Sequence, residues 1–380
     1  MRQPPETLAR RYPLVPRPRP ACTPLHQRVE TLLALEETAH RTADGAVAAT
    51  VCNQAALLAS DVGAHTTART WCLQHAAAYP PAAPLPAAEA IRALEPLVNL
   101  ARLHIRASRG LQAHHLLTRL LHAISTRTAT VIEGAAVPAD LVTEDAGDQD
   151  KVRSWLWTAV LADGARALTS TGRWEAALAH MQAHHGIGQR LLDGRQIAVI
   201  AALTASDPTA ACAALDEAEP REAWEHAVAA CLRAWCRSAS TKPTLCGTDW
   251  RTLADLYDAH EPASGLAVFD ARLGLAMLDL TGEISGPAPR ISGTLLNRAV
   301  QAADGHAARE ILAHPVATAH ATSRELASLQ DMVDQCGLNS SAMPPDLRTR
   351  LEMAVTRSTG IIRHALHLRV RPSRADAVGT

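Results

Sequence analysis

Residues 165–181 read ARALTSTGRWEAALAHM, and they hold two helix-forming runs on either side of a short turn at Thr171-Gly172. Apolar or small residues recur every three or four positions in both runs: Leu156, Val160, Gly164 and Ala167 before the turn, and Trp174, Leu178 and Met181 after it. That spacing is the period of an α-helix with one apolar face. The stretch therefore predicts an antiparallel pair of amphipathic helices.

The same pattern recurs along most of the chain. Turn residues at Gly63, Gly110 and Pro208 separate further pairs of helix-forming runs. Alanine and leucine, both good helix formers, dominate the composition, and no stretch shows the polar–apolar alternation of a strand. The sequence predicts an all-α fold, an α-solenoid of stacked antiparallel helix pairs.

The stretch Gly172-Arg173-Trp174-Glu175-Ala176-Ala177-Leu178 resembles the start of the second helix of a tetratricopeptide repeat, where a glycine turn precedes an aromatic residue and then a small one. The whole chain is also similar to helical-repeat proteins common in actinobacteria, which accompany regulators or peptide natural-product pathways. The tetratricopeptide resemblance implies that the concave surface of the array binds an extended peptide, partly through asparagines on the first helix of each pair.

A polar residue followed two positions later by alanine recurs on the first helices of the predicted pairs. These polar residues, which we call the polar ladder, are Asn53, Asn99, Asp163, Gln196 and Asn297. In a stacked array, equivalent positions line one surface, where carboxamides can donate to and accept from a peptide backbone. Alternatively, they are polar residues on ordinary solvated helix faces.

Three further residues are candidates for the same peptide-binding surface. Arg102 and Arg166 follow Asn99 and Asp163 by three positions and could bind a peptide carboxylate. Trp155 and Trp157 point to different faces of one helix, so at least one is expected to be exposed enough to stack on a ligand, although core packing is the usual role of tryptophan. We take Trp155 as the candidate.

Composition shifts divide the chain into several segments. They are a Pro-rich basic arm at 1–25, a helical-repeat array at 26–280 with an acidic insertion at 126–150, a Gly/Pro linker at 281–292, a C-terminal helical segment at 293–368 and a basic tail at 369–380. The arm is expected to be disordered, or alternatively to act as a docking arm. The insertion is either functional or serves to cap the following helix through Asp148 and Asp150.

Charge and hydropathy exclude several classes of partner. The 37 basic and 38 acidic residues nearly cancel, so no overall field favours nucleic acid or a membrane surface. No apolar run approaches the ~20 residues of a membrane-spanning helix, and the proline-broken start has no signal-peptide core. A cytoplasmic protein is therefore expected.

No cofactor or metal is predicted. Eight cysteines are scattered without paired spacing, and among the 18 histidines, pairs such as His180 and His184 lack a third ligand. The chain also has no phosphate loop, dinucleotide fingerprint or strand-supported serine nucleophile.

Two functional hypotheses follow. The first is a non-catalytic scaffold that binds an extended peptide or protein segment in a concave groove, in regulation or in peptide natural-product maturation. The alternative is a metal-independent enzyme acting on a bound peptide, for example a stand-alone thioether cyclase or lyase of a lanthipeptide-type pathway, with a histidine or Asp163 as acid or base. Convergence of His, Asp and Arg side chains in one pocket would distinguish them.

Overall fold

The structure, a computed structural model, describes residues 9–239, 247–281, 288–338 and 340–370. The chain is 73% helical, with 17 α-helices and one two-stranded sheet in these ranges. The predicted all-α class is confirmed. In the described ranges, no helix is both long enough and apolar enough to span a membrane.

The first part of the chain forms six helices and a small hairpin: α1 Leu25–Thr42, α2 Gly45–Asp61, α3 His65–Ala76, α4 Ala87–Arg106, α5 Gly110–Thr126, β1 Thr130–Ile132, β2 Ala135–Val137 and α6 Ala146–Thr169. The remaining helices follow in order: α7 Trp174–Ala183, α8 Asp193–Thr204, α9 Pro208–Asp216, α10 Ala223–Ala239, α11 Gly247–Ala259, α12 Ala267–Thr281, α13 Ala288–Ala302, α14 Gly305–Leu312, α15 Pro315–Ala319, α16 Ser323–Gln335 and α17 Pro345–Val370.

The chain divides into two compact units, each built from two separate stretches. The hairpin unit comprises Leu25–Ala167 and Asn339–Thr380, and the arm unit comprises Met1–Pro24 and Leu168–Leu338. The predicted C-terminal segment, 293–368, therefore contributes to both units. Of the predicted linker at 281–292, residues 282–287 lie outside the described residues, and residues 288–292 begin α13. Contacts between distant stretches, such as α17 with α1 and α2, are not visible in local periodicity.

In the hairpin unit, consecutive helices pack against one another from α1 to α5, and α17 packs on α1 and α2. Helix α2 presents small side chains to its neighbours, and Ala48, Ala55 and Ala59 are fully buried. A Cβ atom at Gly45 would lie 3.2 Å from Ala365 Cβ on α17, so these helices approach closely. Helix α17 includes the first residues of the predicted basic tail, of which 371–380 lie outside the described residues.

The predicted acidic insertion at 126–150 contains a β-hairpin that the sequence pattern did not indicate. Strands β1 and β2 are antiparallel, with Ile132 opposite Ala135. Glu133 and Gly134 form the turn with positive φ angles of 51° and 96°. A two-residue turn with positive φ angles has a backbone twist that matches the right-handed twist of the two strands it joins. Three-residue strands are too short to show alternation. Helix α6 then starts at Ala146, where the Asp145 carboxylate accepts a hydrogen bond from the Asp148 backbone N–H.

Residues 9–24 of the predicted Pro-rich arm pack within the arm unit, whereas residues 1–8 lie outside the described part. Tyr12, Leu14 and Cys22 are buried in the arm unit, and the Tyr12 ring lies 6.0 Å from that of Trp235. Because proline prevents helix formation here, the segment stays extended. Its backbone groups form hydrogen bonds with the rest of the unit. Apolar side chains between the prolines supply the burial that a disordered tail lacks.

Backbone hydrogen bonds hold the arm at two further points. The Arg19 N–H donates to the Gly265 carbonyl at 3.1 Å, and the Gly305 N–H donates to the Cys22 carbonyl at 3.0 Å. Gly265 has a φ of +80°, and a Cβ atom there would lie 3.0 Å from the Arg19 oxygen. The arm is thus an integral strand-like part of this unit.

Candidate functional site

Three members of the polar ladder come together in the hairpin unit, on α2, α4 and α6. The Asn99 amide donates to Asn53 Oδ1 at 3.1 Å, and the Asn99 oxygen accepts from Arg102 Nη1 at 3.1 Å. Arg102 Nε then donates to Asp163 Oδ2 at 2.9 Å. Two more bonds extend the row, from Asn53 to Glu95 at 2.6 Å and from Arg166 to Asp163 Oδ1 at 3.1 Å. We call these six residues the polar chain.

Burial within the polar chain increases from the arginines to the residues that hold them. The Asp163 side chain is only 4% exposed, whereas the side chains of Arg102 and Arg166 are 42% and 43% exposed. Asn99 is buried as well. Asn99 and Asp163 therefore do not present free polar groups to a ligand. They orient two guanidinium groups that share the Asp163 carboxylate and remain partly exposed at the surface.

Helix geometry explains this arrangement. Asn99 and Arg102, like Asp163 and Arg166, are three residues apart and so share a helix face. Glu95 was not among the predicted residues, although it lies one turn before Asn99 on the same helix face, a spacing that could have identified it. The burial of Asn99 could not be predicted, because periodicity alone does not show how closely an alanine-rich helix approaches its neighbour.

The two remaining ladder residues lie in the arm unit and do not share a surface. Asn297 is exposed on α13, whereas Gln196 is completely buried on α8. The Gln196 side chain accepts from the Leu14 N–H at 2.6 Å and donates to the Leu14 carbonyl at 2.8 Å. It also donates to the Leu191 carbonyl at 2.8 Å. The carboxamide thus both donates hydrogen bonds to an extended backbone and accepts one from it. That backbone belongs to the arm of the same chain.

Of the two tryptophans on α6, Trp157 is the more exposed. Trp155 is partly buried and packs against the hydrophobic core, whereas Trp157 is 37% exposed. Trp157 is therefore the residue of this pair with surface available for stacking. The pattern placed the two on different faces and did not show which face meets the core.

Acid–base pairs exist in the arm unit, away from the predicted candidates. His260 Nε2 lies 2.8 Å from Asp270 Oδ1, and His314 Nε2 lies 2.9 Å from Asp279 Oδ1. Burial favours neutral Asp279, but hydrogen bonds and charges from His314 and Arg11 outweigh it, so the pKa of Asp279 is lowered. Asp163 is unsuited to act as a base, because guanidinium donors occupy both of its oxygens.

No group of three His, Cys, Asp or Glu side chains within the described ranges is placed to hold a metal ion. Comparison with known proteins finds no match for this chain among protein-family models, curated proteins or solved structures.

Replacing Asn99 with alanine is expected to lower the free energy of unfolding by about 1–3 kcal/mol. The change removes partners from Asn53 and Arg102 in a buried setting, and alanine's better helix propensity recovers less than ~1 kcal/mol. Urea unfolding measures the difference. Gln54→Ala, an exposed amide on neighbouring α2, is the matched control and should change stability by less than ~0.5 kcal/mol. Equal effects for both variants would mean that Asn99 makes no structural contribution.

Proposed function

We propose that this protein is a non-catalytic scaffold that binds an extended peptide or protein segment. In this proposal the helix pairs form a tetratricopeptide-like α-solenoid, and the first helices of successive pairs face the ligand. The neighbouring positions of Asn53, Asn99 and Asp163 on α2, α4 and α6 support such stacking, because equivalent residues of stacked repeats adjoin one another.

The observation that carries the proposal is the bond pattern of Gln196. This ladder residue both donates to and accepts from the backbone of an extended segment, at Leu14. A carboxamide on the first helix of a pair can therefore perform the contact expected of a peptide-binding repeat. The contact carries no side-chain specificity, since every non-proline residue has the same backbone groups.

In the hairpin unit, Arg102 and Arg166 are the proposed ligand contacts. Asn99 and Asp163 fix the guanidinium groups, which lowers the conformational entropy lost when a ligand binds. A carboxylate matches the fork and the positive charge of a guanidinium. We therefore propose that the bound peptide presents a carboxylate, either its C-terminus or an acidic side chain.

We place the scaffold in the cytoplasm, in regulation or in peptide natural-product maturation of an actinobacterial type. The support is compositional: Lys151 and Lys242 are the only lysines, which fits a GC-rich genome. The alternative of a metal-independent peptide-modifying enzyme has support from the His260–Asp270 pair, since Asp270 lines a cavity of about 320 Å³ in the arm unit. The polar chain, in which both oxygens of Asp163 accept hydrogen bonds from guanidinium groups, favours binding.

A pool of random synthetic peptides, prepared with free and with amidated C-termini, tests the scaffold proposal. After affinity selection and mass spectrometry, the protein should retain carboxylate-bearing peptides. If peptides are retained only from the pool with free C-termini, the C-terminal carboxylate is the bound group. If peptides with acidic residues are retained from both pools, an acidic side chain is the bound group.

Replacing Arg102 and Arg166 together with glutamine should weaken binding of a selected peptide by about ten- to a hundredfold, the effect of losing charge-assisted hydrogen bonds. Arg41→Gln removes one positive charge from an exposed position at the end of α1 and should leave the affinity unchanged. Melting curves show whether each variant stays folded. Retention of acid-free, amidated peptides with equal strength would contradict the proposal.

A further inference from the structure

A cavity of about 300 Å³ opens at the surface of the hairpin unit, beside α4, α5 and the β-hairpin. Its polar wall is formed by His104, Arg109, Gln112, His115, Arg119 and Glu133. None of these residues belongs to the polar chain, and the peptide-binding proposal does not use them. Two arginines and two histidines face a single acid, so the cavity is strongly enriched in cationic and hydrogen-bond-donating groups.

The single acid in the cavity is already neutralised. Glu133 Oε2 accepts from Arg69 Nε at 2.7 Å, and Glu133 Oε1 pairs with His104 Nε2. Burial alone would raise the pKa of Glu133, but the hydrogen bonds and charges of His104 and Arg69 outweigh it and lower the pKa. The carboxylate is thus ionised and matched by Arg69, which does not line the cavity. The charges of Arg109 and Arg119 remain uncompensated.

The two arginines are available in different ways. Arg119 Nη2 donates to the Val131 carbonyl at 3.0 Å and to Thr130 Oγ1 at 3.1 Å, so the hairpin holds this guanidinium in place. Its Nε and Nη1 donate no hydrogen bond to any residue that the structure describes. The Arg109 guanidinium likewise has no ion pair or hydrogen bond within the described ranges. One arginine is therefore preorganised and the other is free to close on a ligand.

We propose that this cavity binds the phosphoryl group of a small phosphorylated molecule. A phosphomonoester carries nearly two negative charges and three terminal oxygens, which suits two guanidinium groups together with Gln112 and His115. A carboxylate has one charge and two oxygens, and it would leave donors unused. Buried Leu116 and Ile132 also line the cavity and give an organic group an apolar contact beside the phosphate.

Phosphorus NMR line broadening and calorimetric titration with phenyl phosphate, inorganic phosphate and benzoate test this site. Phenyl phosphate should bind to the unmodified protein, and Arg109→Gln should weaken that binding about tenfold or more, since the variant loses a charged hydrogen-bond donor. Arg41→Gln is the control of equal charge and should bind as the unmodified protein does. Arg109 has no structural partner, so its replacement should leave the melting temperature unchanged.

The probes also distinguish the source of the phosphate group. Tighter binding of phenyl phosphate than of inorganic phosphate assigns the site to an organic phosphate, and equal binding assigns it to free phosphate; both support a phosphoryl site. Benzoate binding as tightly as phenyl phosphate overturns it in favour of a carboxylate site. The absence of phenyl phosphate binding, or equal affinities for Arg109→Gln and Arg41→Gln, also overturns it. None of these results bears on Arg102 or Arg166, so the peptide proposal stands or falls separately.

Discussion

Replacing Gln196 with alanine is expected to lower the free energy of unfolding by about 3–5 kcal/mol. The variant leaves the Leu14 N–H, the Leu14 carbonyl and the Leu191 carbonyl without their buried partner, and it also leaves a cavity. Each stranded group costs about 1–3 kcal/mol. Because the arm depends on this side chain, hydrogen exchange of the Leu14 N–H should accelerate in the variant.

Two companion variants separate the causes. Gln196→Met keeps most of the side-chain volume and removes the amide, so it should retain most of the destabilisation if the hydrogen bonds dominate. Gln182→Ala, an exposed glutamine on α7, should change stability by less than ~0.5 kcal/mol. Urea unfolding gives all three values. A loss under ~1 kcal/mol for Gln196→Ala, with unchanged exchange at Leu14, would contradict the role of this residue in holding the arm.

The hairpin unit is expected to lose about 2 kcal/mol of stability through His75 when the pH falls from 7.5 to 5. Burial lowers the pKa of His75 from 6.5 to about 3 in the folded protein. The unfolded chain takes up a proton below pH ~6.5, whereas the folded chain does not. The stability that the fold gains by keeping His75 neutral is therefore fully present above pH 6.5, and it is lost progressively as the pH falls toward 3.

Comparison of variants isolates this effect from the carboxylates that also titrate in acid. His75→Gln should be less stable at pH 7.5, because it disturbs a buried site where His75 Nε2 lies 3.1 Å from the Tyr79 hydroxyl. Its stability should, however, fall less steeply between pH 7.5 and 5. His65→Gln, an exposed histidine at the start of the same helix, should keep the slope of the unmodified protein. Equal slopes for all three proteins would show that His75 is protonated in the fold.

The fold class could be predicted because it depends on local spacing. The runs around Thr171-Gly172 form α6 and α7, and the turn lies between them. The β-hairpin could not be predicted, because strands of three residues show no periodicity. Its turn is evident only from the positive φ angles of Glu133 and Gly134 in the structure. The packed arm depends on Gln196, which is remote in sequence from Leu14.

Of the polar ladder, the structure brings Asn53, Asn99 and Asp163 into one hydrogen-bonded row, whereas Gln196 and Asn297 lie elsewhere. The hydrogen bonds of these residues could not be predicted from their spacing. Which of them is buried depends on how closely the helices approach, and that is set by the whole core. The cavity that we propose to bind phosphate could not be predicted, because His104 lies on a helix and Glu133 lies in a hairpin turn 29 residues away.

The central claim is that Arg102 and Arg166 bind a peptide carboxylate. NMR of the arginine Nε–H signals, assigned with Arg102→Lys and Arg166→Lys, tests it most directly during titration with a selected carboxylate-bearing peptide. We predict that these two signals shift in proportion to binding, while the signal of Arg41 does not move. Saturating binding of the peptide without a shift of either signal would contradict the account.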